Sequence, residues 1–175
     1  IFSEMGTAAA TKMNEFAANF NTQKAKTEEL ATQQSSVVND YNTKLNAASE
    51  YYKNTLTPAQ QDAQKLQDTA SASYDAYKAQ ADKYAGLVKQ YDDAKAAGNA
   101  DLANSLADQA NAMIPALNSA TDKYNSDATA YETSATKFND VFANYKSQTD
   151  TLGTLKTQYE NLGTQIDATT KESTK

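Results

Sequence analysis

Carboxylates are the side chains in this sequence best suited to chemistry. Glu28-Glu29, Asp92-Asp93, and Asp122 with Asp127 are the pairs whose spacing invites an acid/base or cation-binding reading. General acid/base work needs two carboxylates of separated pKa in an enclosed pocket. Adjacent residues on a helix diverge by ~100° and do not converge on one proton. No Asp-x-Asp-x-Asp-Gly calcium loop is present. These acids are therefore expected on solvated helix faces. The remaining alphabet narrows the chemistry further. His, Cys and Trp are absent, and all 16 basic residues are Lys. That excludes imidazole or thiolate metal sites, Ser-His-Asp and Cys-His nucleophiles, and disulfides. A net charge of −6 without one guanidinium argues against a nucleic-acid partner. The expectation is a protein that is not an enzyme, with no catalytic residue, cofactor or metal.

Aromatic rings are the second group of candidates. The chain has 11 Tyr and 5 Phe. Phe16, Phe20, Tyr77, Tyr84 and Tyr91 fall on three-four spacings, as do Tyr124, Tyr131, Phe138, Tyr145 and Tyr159. These ten are the candidate seam or interface residues. They either pack helix against helix or form a ladder for stacking, carbohydrate contact or lateral assembly. Lys-apolar-Asn triplets recur at Lys12-Met13-Asn14, Lys44-Leu45-Asn46, Lys123-Tyr124-Asn125 and Lys137-Phe138-Asn139. Each brackets a seam position with polar flanks, as a heptad grammar requires.

The elements that position these rings follow from composition and period. Leu, Ile, Val and Phe make up only 23 of 175 residues, a share typical of disordered chains when the net charge is high. Here the charge is low, Ala is the commonest apolar residue, and Pro and Gly total seven. The balance favours helix. Met13, Phe16, Phe20, Leu30, Val37, Tyr41, Leu45, Ala48 and Tyr52 define one apolar face, with Gln23, Thr27 and Gln34 at its polar seam positions. Thr57-Pro58-Ala59-Gln60 reads as a fresh helix start with Thr57 as cap. Gly98 and Asn99 read as a helix stop and the next cap. The fold class expected is all-α: an elongated antiparallel three-helix bundle or coiled coil, with helices at about 3–56, 58–97 and 100–167, the last kinked at Pro115. Helices of that length span roughly 60 to 100 Å, so a rod is expected. The bundle would occupy 1–168, and 169–175 would form a polar, frayed tail.

One internal self-match stands at an offset of 125. Residues 10–23 and 135–148 are identical at seven of fourteen positions and conservative at four more. Two Ala/Thr/Asn-rich heptad helices resemble each other cheaply. The sharper reading is a second tandem module beginning near residue 135, entered through an unbroken helix.

No run of ~20 apolar residues is present, so no transmembrane segment is expected. The polar faces are Asn/Gln/Thr/Asp-rich, unlike the Lys/Arg-rich faces of interfacial helices. An opening at Ile1 suggests a processed or excised chain. The composition resembles that of bacterial surface proteins and filament subunits. The expected role is a non-enzymatic extracellular structural or adhesive protein. It would be a rigid helical rod serving as a cell-surface stalk, spacer or filament subunit, partnered by itself or by another surface protein. The alternative is a secreted or periplasmic helical-bundle binding protein, holding a peptide, a partner helix or a toxin component.

Overall fold

A computed structural model describes residues 2–173, leaving aside the side chain of Phe2. Helices α1 (Phe2–Tyr51), α2 (Thr57–Ala96) and α3 (Ala100–Ser173) account for nearly all of it, and the described residues contain no strand. The all-helical class agrees with an Ala-rich chain that carries few breakers.

The number of separate helices is not as the sequence suggested. A π-helical turn, Tyr52–Leu56, joins α1 to α2, so helical backbone continues from Phe2 to Ala96. The expected break before Pro58 is absent. Leu56, not Thr57, precedes α2; its backbone is already helical, and no side-chain cap is made there. The reason is local. Proline lacks the N–H that an α-helix donates to the carbonyl four residues back, and its ring crowds that carbonyl. A π turn shifts the pairing to five residues and widens the backbone at that point, so the proline is absorbed without a stop. Pro115 likewise lies within α3 and does not end it. The C-terminal limit also moves outward. α3 continues to Ser173 rather than ending near 167, with Thr169 buried and its hydroxyl donating to the Gln165 carbonyl at 2.8 Å.

The turn between α2 and α3 is where local sequence chemistry is clearest. Gly98 has φ 72°, a left-handed value that a Cβ disfavours. Its N–H donates to the Lys95 carbonyl at 3.1 Å, and the Asn99 N–H donates to the Ala94 carbonyl at 2.9 Å. This pair of bonds is the Schellman closure of α2. The Asn99 side chain then accepts the Leu102 N–H at 3.1 Å and caps α3.

The chain divides into two compact units. One contains α1 and Tyr52 with the part of α3 from Asn144 onward; the other runs from Lys53 to Ala143. Each is an antiparallel pair of helical segments. In the first, Gln34 donates to the Tyr159 carbonyl at 3.3 Å, and the rings of Tyr52 and Tyr145 are 5.5 Å apart. In the second, Ala94 clusters with Ala103 and Leu106 beside the turn, and Tyr74 meets Tyr124 further along. A pair of helices encloses only one layer of side chains, which explains the small residues at its centre. Leu30, Ala48 and Leu155 are buried in the first unit; Leu56, Ala59, Ala70 and Ala110 are buried in the second. Among the described residues no large side chain is completely buried.

The Thr-rich surface is compatible with long helices for a reason visible in the hydrogen bonds. Thr7, Thr11, Thr22, Thr27, Thr32 and Thr43 each donate the hydroxyl to the carbonyl four residues back. The same bond recurs along α3, for example at Thr121, Thr129 and Thr133. Each hydroxyl is thus satisfied on its own helix by sharing a carbonyl that the backbone ladder already uses.

Candidate functional site

The expected seam residues fall into two groups. Tyr77, Tyr84, Tyr91, Tyr124, Tyr131, Phe138 and Tyr145 are half-buried. Phe16, Phe20 and Tyr159 are exposed. In the second unit the Tyr124 ring lies 5.4 Å from that of Tyr74 and 6.3 Å from that of Tyr77, and Tyr74 and Tyr77 are 6.4 Å apart. These three rings form a cross-helix cluster with tilted and offset contacts, the arrangements aromatic quadrupoles favour. Tyr91 packs on the Ala94–Leu106 cluster, with the Lys95 ammonium 5.8 Å from its ring centre. Phe138 stacks on Phe142 at 6.1 Å along α3.

A polar contact interrupts the aromatic seam. Ser73 is buried at 6% exposure and hydrogen-bonds to Asp127 across the helix pair. Lys123 donates to the same carboxylate oxygen at 2.9 Å. The Ser73 hydroxyl also lies 3.1 Å from the Thr69 carbonyl. The Ser73 bond first, then the Lys123 bond and charge, hold the Asp127 carboxyl below its ordinary value of 3.8. The carboxylate thus bridges Ser73 on α2 and Lys123 one turn away on its own helix, fixing the level at which the two segments of this unit meet. Ser73 was not among the residues singled out from sequence. The signal was its phase, three residues after Ala70 and four before Tyr77.

The carboxylate pairs do not converge. Glu28, Glu29, Asp92, Asp93 and Asp122 are exposed, and Asp122 takes no part in the Asp127 contact. Among the described residues, no group of three or more acids lies together as a metal site would need. Nor is any helix there long and apolar enough to cross a membrane.

Two open features flank the seams. In the second unit a groove of about 740 Å³ runs beside Ala72, Ala76 and Ala120, with Gln64, Lys65 and Asp68 along its rim. In the first, Val37, Val38, Tyr41, Leu155 and Tyr159 line a hollow of about 190 Å³.

The first twenty residues of α1 differ from the rest. Every described side chain from Ser3 to Thr22 is exposed, and coverage begins only at Gln23, Thr27 and Leu30. Met13, Phe16 and Phe20 remain 73%, 57% and 45% exposed. Phe16 and Phe20 touch each other, with ring centres 6.4 Å apart. The sequence pattern placed them in a seam; here they are exposed. Comparison with family models, curated proteins and solved structures gives no match to this chain.

Proposed function

We propose that the chain is a non-enzymatic structural or adhesive protein, acting outside the cell as a helical rod: a stalk, a spacer or a filament subunit. The supporting observation is its long helices, which pass two prolines with one reversal at Ala97–Asn99. α1 and α2 have 50 and 40 residues, rises of roughly 75 and 60 Å. Seams of small side chains and tyrosines hold the paired helical segments of each unit together. Such a design sets distance and presents surface. A compact particle of this length would have a radius of gyration near about 16 Å. Small-angle scattering on the purified chain should give at least twice that, and a value near the compact figure would remove this reading. Antibody labelling of intact cells of the source organism tests the location, with labelling before permeabilisation expected.

A second reading draws on the groove beside Ala72, Ala76 and Ala120. Small residues let another helix approach closely, so a helical-bundle binding protein would use this surface. Saturable binding of a helical peptide, abolished by Ala76→Leu, would favour it over the spacer.

A further inference from the structure

We infer that Tyr74 with Tyr124, and Tyr52 with Tyr145, are sites of oxidative cross-linking. Each pair joins through ring carbons into dityrosine when a haem peroxidase and hydrogen peroxide act on the folded chain. The sequence concentrates one-electron chemistry on this residue type. Cys, Trp and His are absent, and the chain has 11 Tyr. The other readily oxidised side chains are 3 Met, whose sulfur takes up an oxygen atom instead.

Placement picks out two pairs. Tyr74 on α2 and Tyr124 on α3 have ring centres 5.4 Å apart and planes tilted by 58°. In the other unit Tyr52, just past α1, and Tyr145 on α3 stand at 5.5 Å and 50°. These separations lie in the shorter half of the range for aromatic pairs, and tilting turns the edge of one ring toward the other. Edges matter because the carbons that couple are those beside the one bearing the hydroxyl. The Tyr77 ring also meets that of Tyr124, but at 6.3 Å and 15°, face over face. Each selected pair combines access with restraint. Tyr74 and Tyr52 are 45% and 51% exposed, open to an oxidant, whereas Tyr124 and Tyr145 are half-buried in their seams. Beside the first pair, the Ser73–Asp127 bond holds the two segments level.

The reaction balances as follows. Each phenol gives up one electron and one proton, and the peroxide takes up two of each to become two waters. The two phenoxyl radicals pair their electrons in one carbon–carbon bond between ring positions beside the oxygens. The hydrogen on each joined carbon then moves to oxygen, which restores both phenols. Rings already held together react as if at very high local concentration, so linkage within one chain outruns linkage between chains in dilute solution. Each link closes a long loop and restricts the unfolded chain as a disulfide would, in a sequence with no cysteine to form one.

A haem peroxidase and hydrogen peroxide, added to the whole chain in dilute solution, test the inference. Dityrosine fluorescence is expected in the monomer band of a denaturing gel. Mass spectrometry of the digested band should find Tyr74 joined to Tyr124 and Tyr52 joined to Tyr145. Tyr124→Phe and Tyr145→Phe keep the ring and lose the phenol. Each should lower its own link by about tenfold or more and leave helix content by circular dichroism unchanged. Tyr159, 44% exposed, separates proximity from exposure. Linkage mainly between chains through Tyr159 would mean that exposure alone decides, and would overturn the inference. A monomer band without dityrosine would overturn it too. Either result leaves the rod reading standing, because that reading is tested by the scattering radius.

Discussion

Ser73 on α2 hydrogen-bonds to Asp127 on α3, a partner 54 residues away in sequence. It ties one helix to the other at a chosen point along a seam otherwise made of Ala and Tyr. Apolar contacts tolerate sliding by a fraction of a turn, but a directional bond to a carboxylate does not. Ser73 and Asp127 therefore act as a register mark in the second unit.

Acid should erase that mark. The folded Asp127 carboxyl titrates below its ordinary value of 3.8, chiefly because Ser73 and then Lys123 bond to its charged form. A carboxylate with a depressed folded pKa adds stability that is fully present above the unfolded value and is lost as pH falls through the folded one. Thermal melts of the native chain and Asp127→Asn should differ most at neutral pH, with the gap starting to narrow once pH falls below about 4 and closing only below the folded value. A gap that stays constant down to pH 2 would contradict this.

Pro115 is exposed within α3 and leaves the Asn111 carbonyl without its usual backbone donor. Pro115→Ala restores the bond and removes the ring clash. Stability in urea titrations should rise by about 1–3 kcal/mol. No change or a fall would mean that the proline contributes to packing.

Two glycines should respond in opposite directions. Gly98→Ala forces a Cβ into a left-handed backbone and should destabilise by about 1–2 kcal/mol, although nothing lies within 4 Å of the new methyl. Gly153→Ala, in open space on α3, should stabilise by roughly 0.5–1 kcal/mol. Paired thermal melts decide both.

Tyr124 touches two rings on the opposite helix, whereas Tyr159 is exposed. Tyr124→Ala should lose about 1–3 kcal/mol and Tyr159→Ala less than about 1 kcal/mol. Equal losses would contradict the unequal burial.

Salt should matter little. Lys78–Asp82, Lys89–Asp93 and Lys146–Asp150 are exposed pairs at 2.7–2.9 Å with Lys on the N-terminal side, the weaker orientation on a helix. The melting temperature should move by only a few degrees between low salt and 0.5 M sodium chloride.

The sequence made some of this legible and concealed the rest for identifiable reasons. Gly98 and Asn99 announced the turn because each has one strong local preference that the tertiary structure does not oppose. In α3, Ala103, Leu106 and Ala110 are buried at spacings of three and four, the period of a helix face. Pro58 misled because a π turn is a shift of pairing that no residue type marks. Met13, Phe16 and Phe20 show that periodicity identifies a greasy face without saying what covers it. Asp127 drew attention only beside Asp122, and its bond to Ser73 escaped notice because a small polar residue in seam phase looks like a spacer until its partner is known.

Because α2 and the first part of α3 run alongside each other and reverse at one three-residue junction, the second unit is modular in length. Removing or adding seven residues in each arm at matched levels would leave every surviving layer facing its former neighbour. A change of seven in one arm alone would displace all layers beyond it. Dimension in such a protein can therefore evolve by paired duplication, with no new junction to invent.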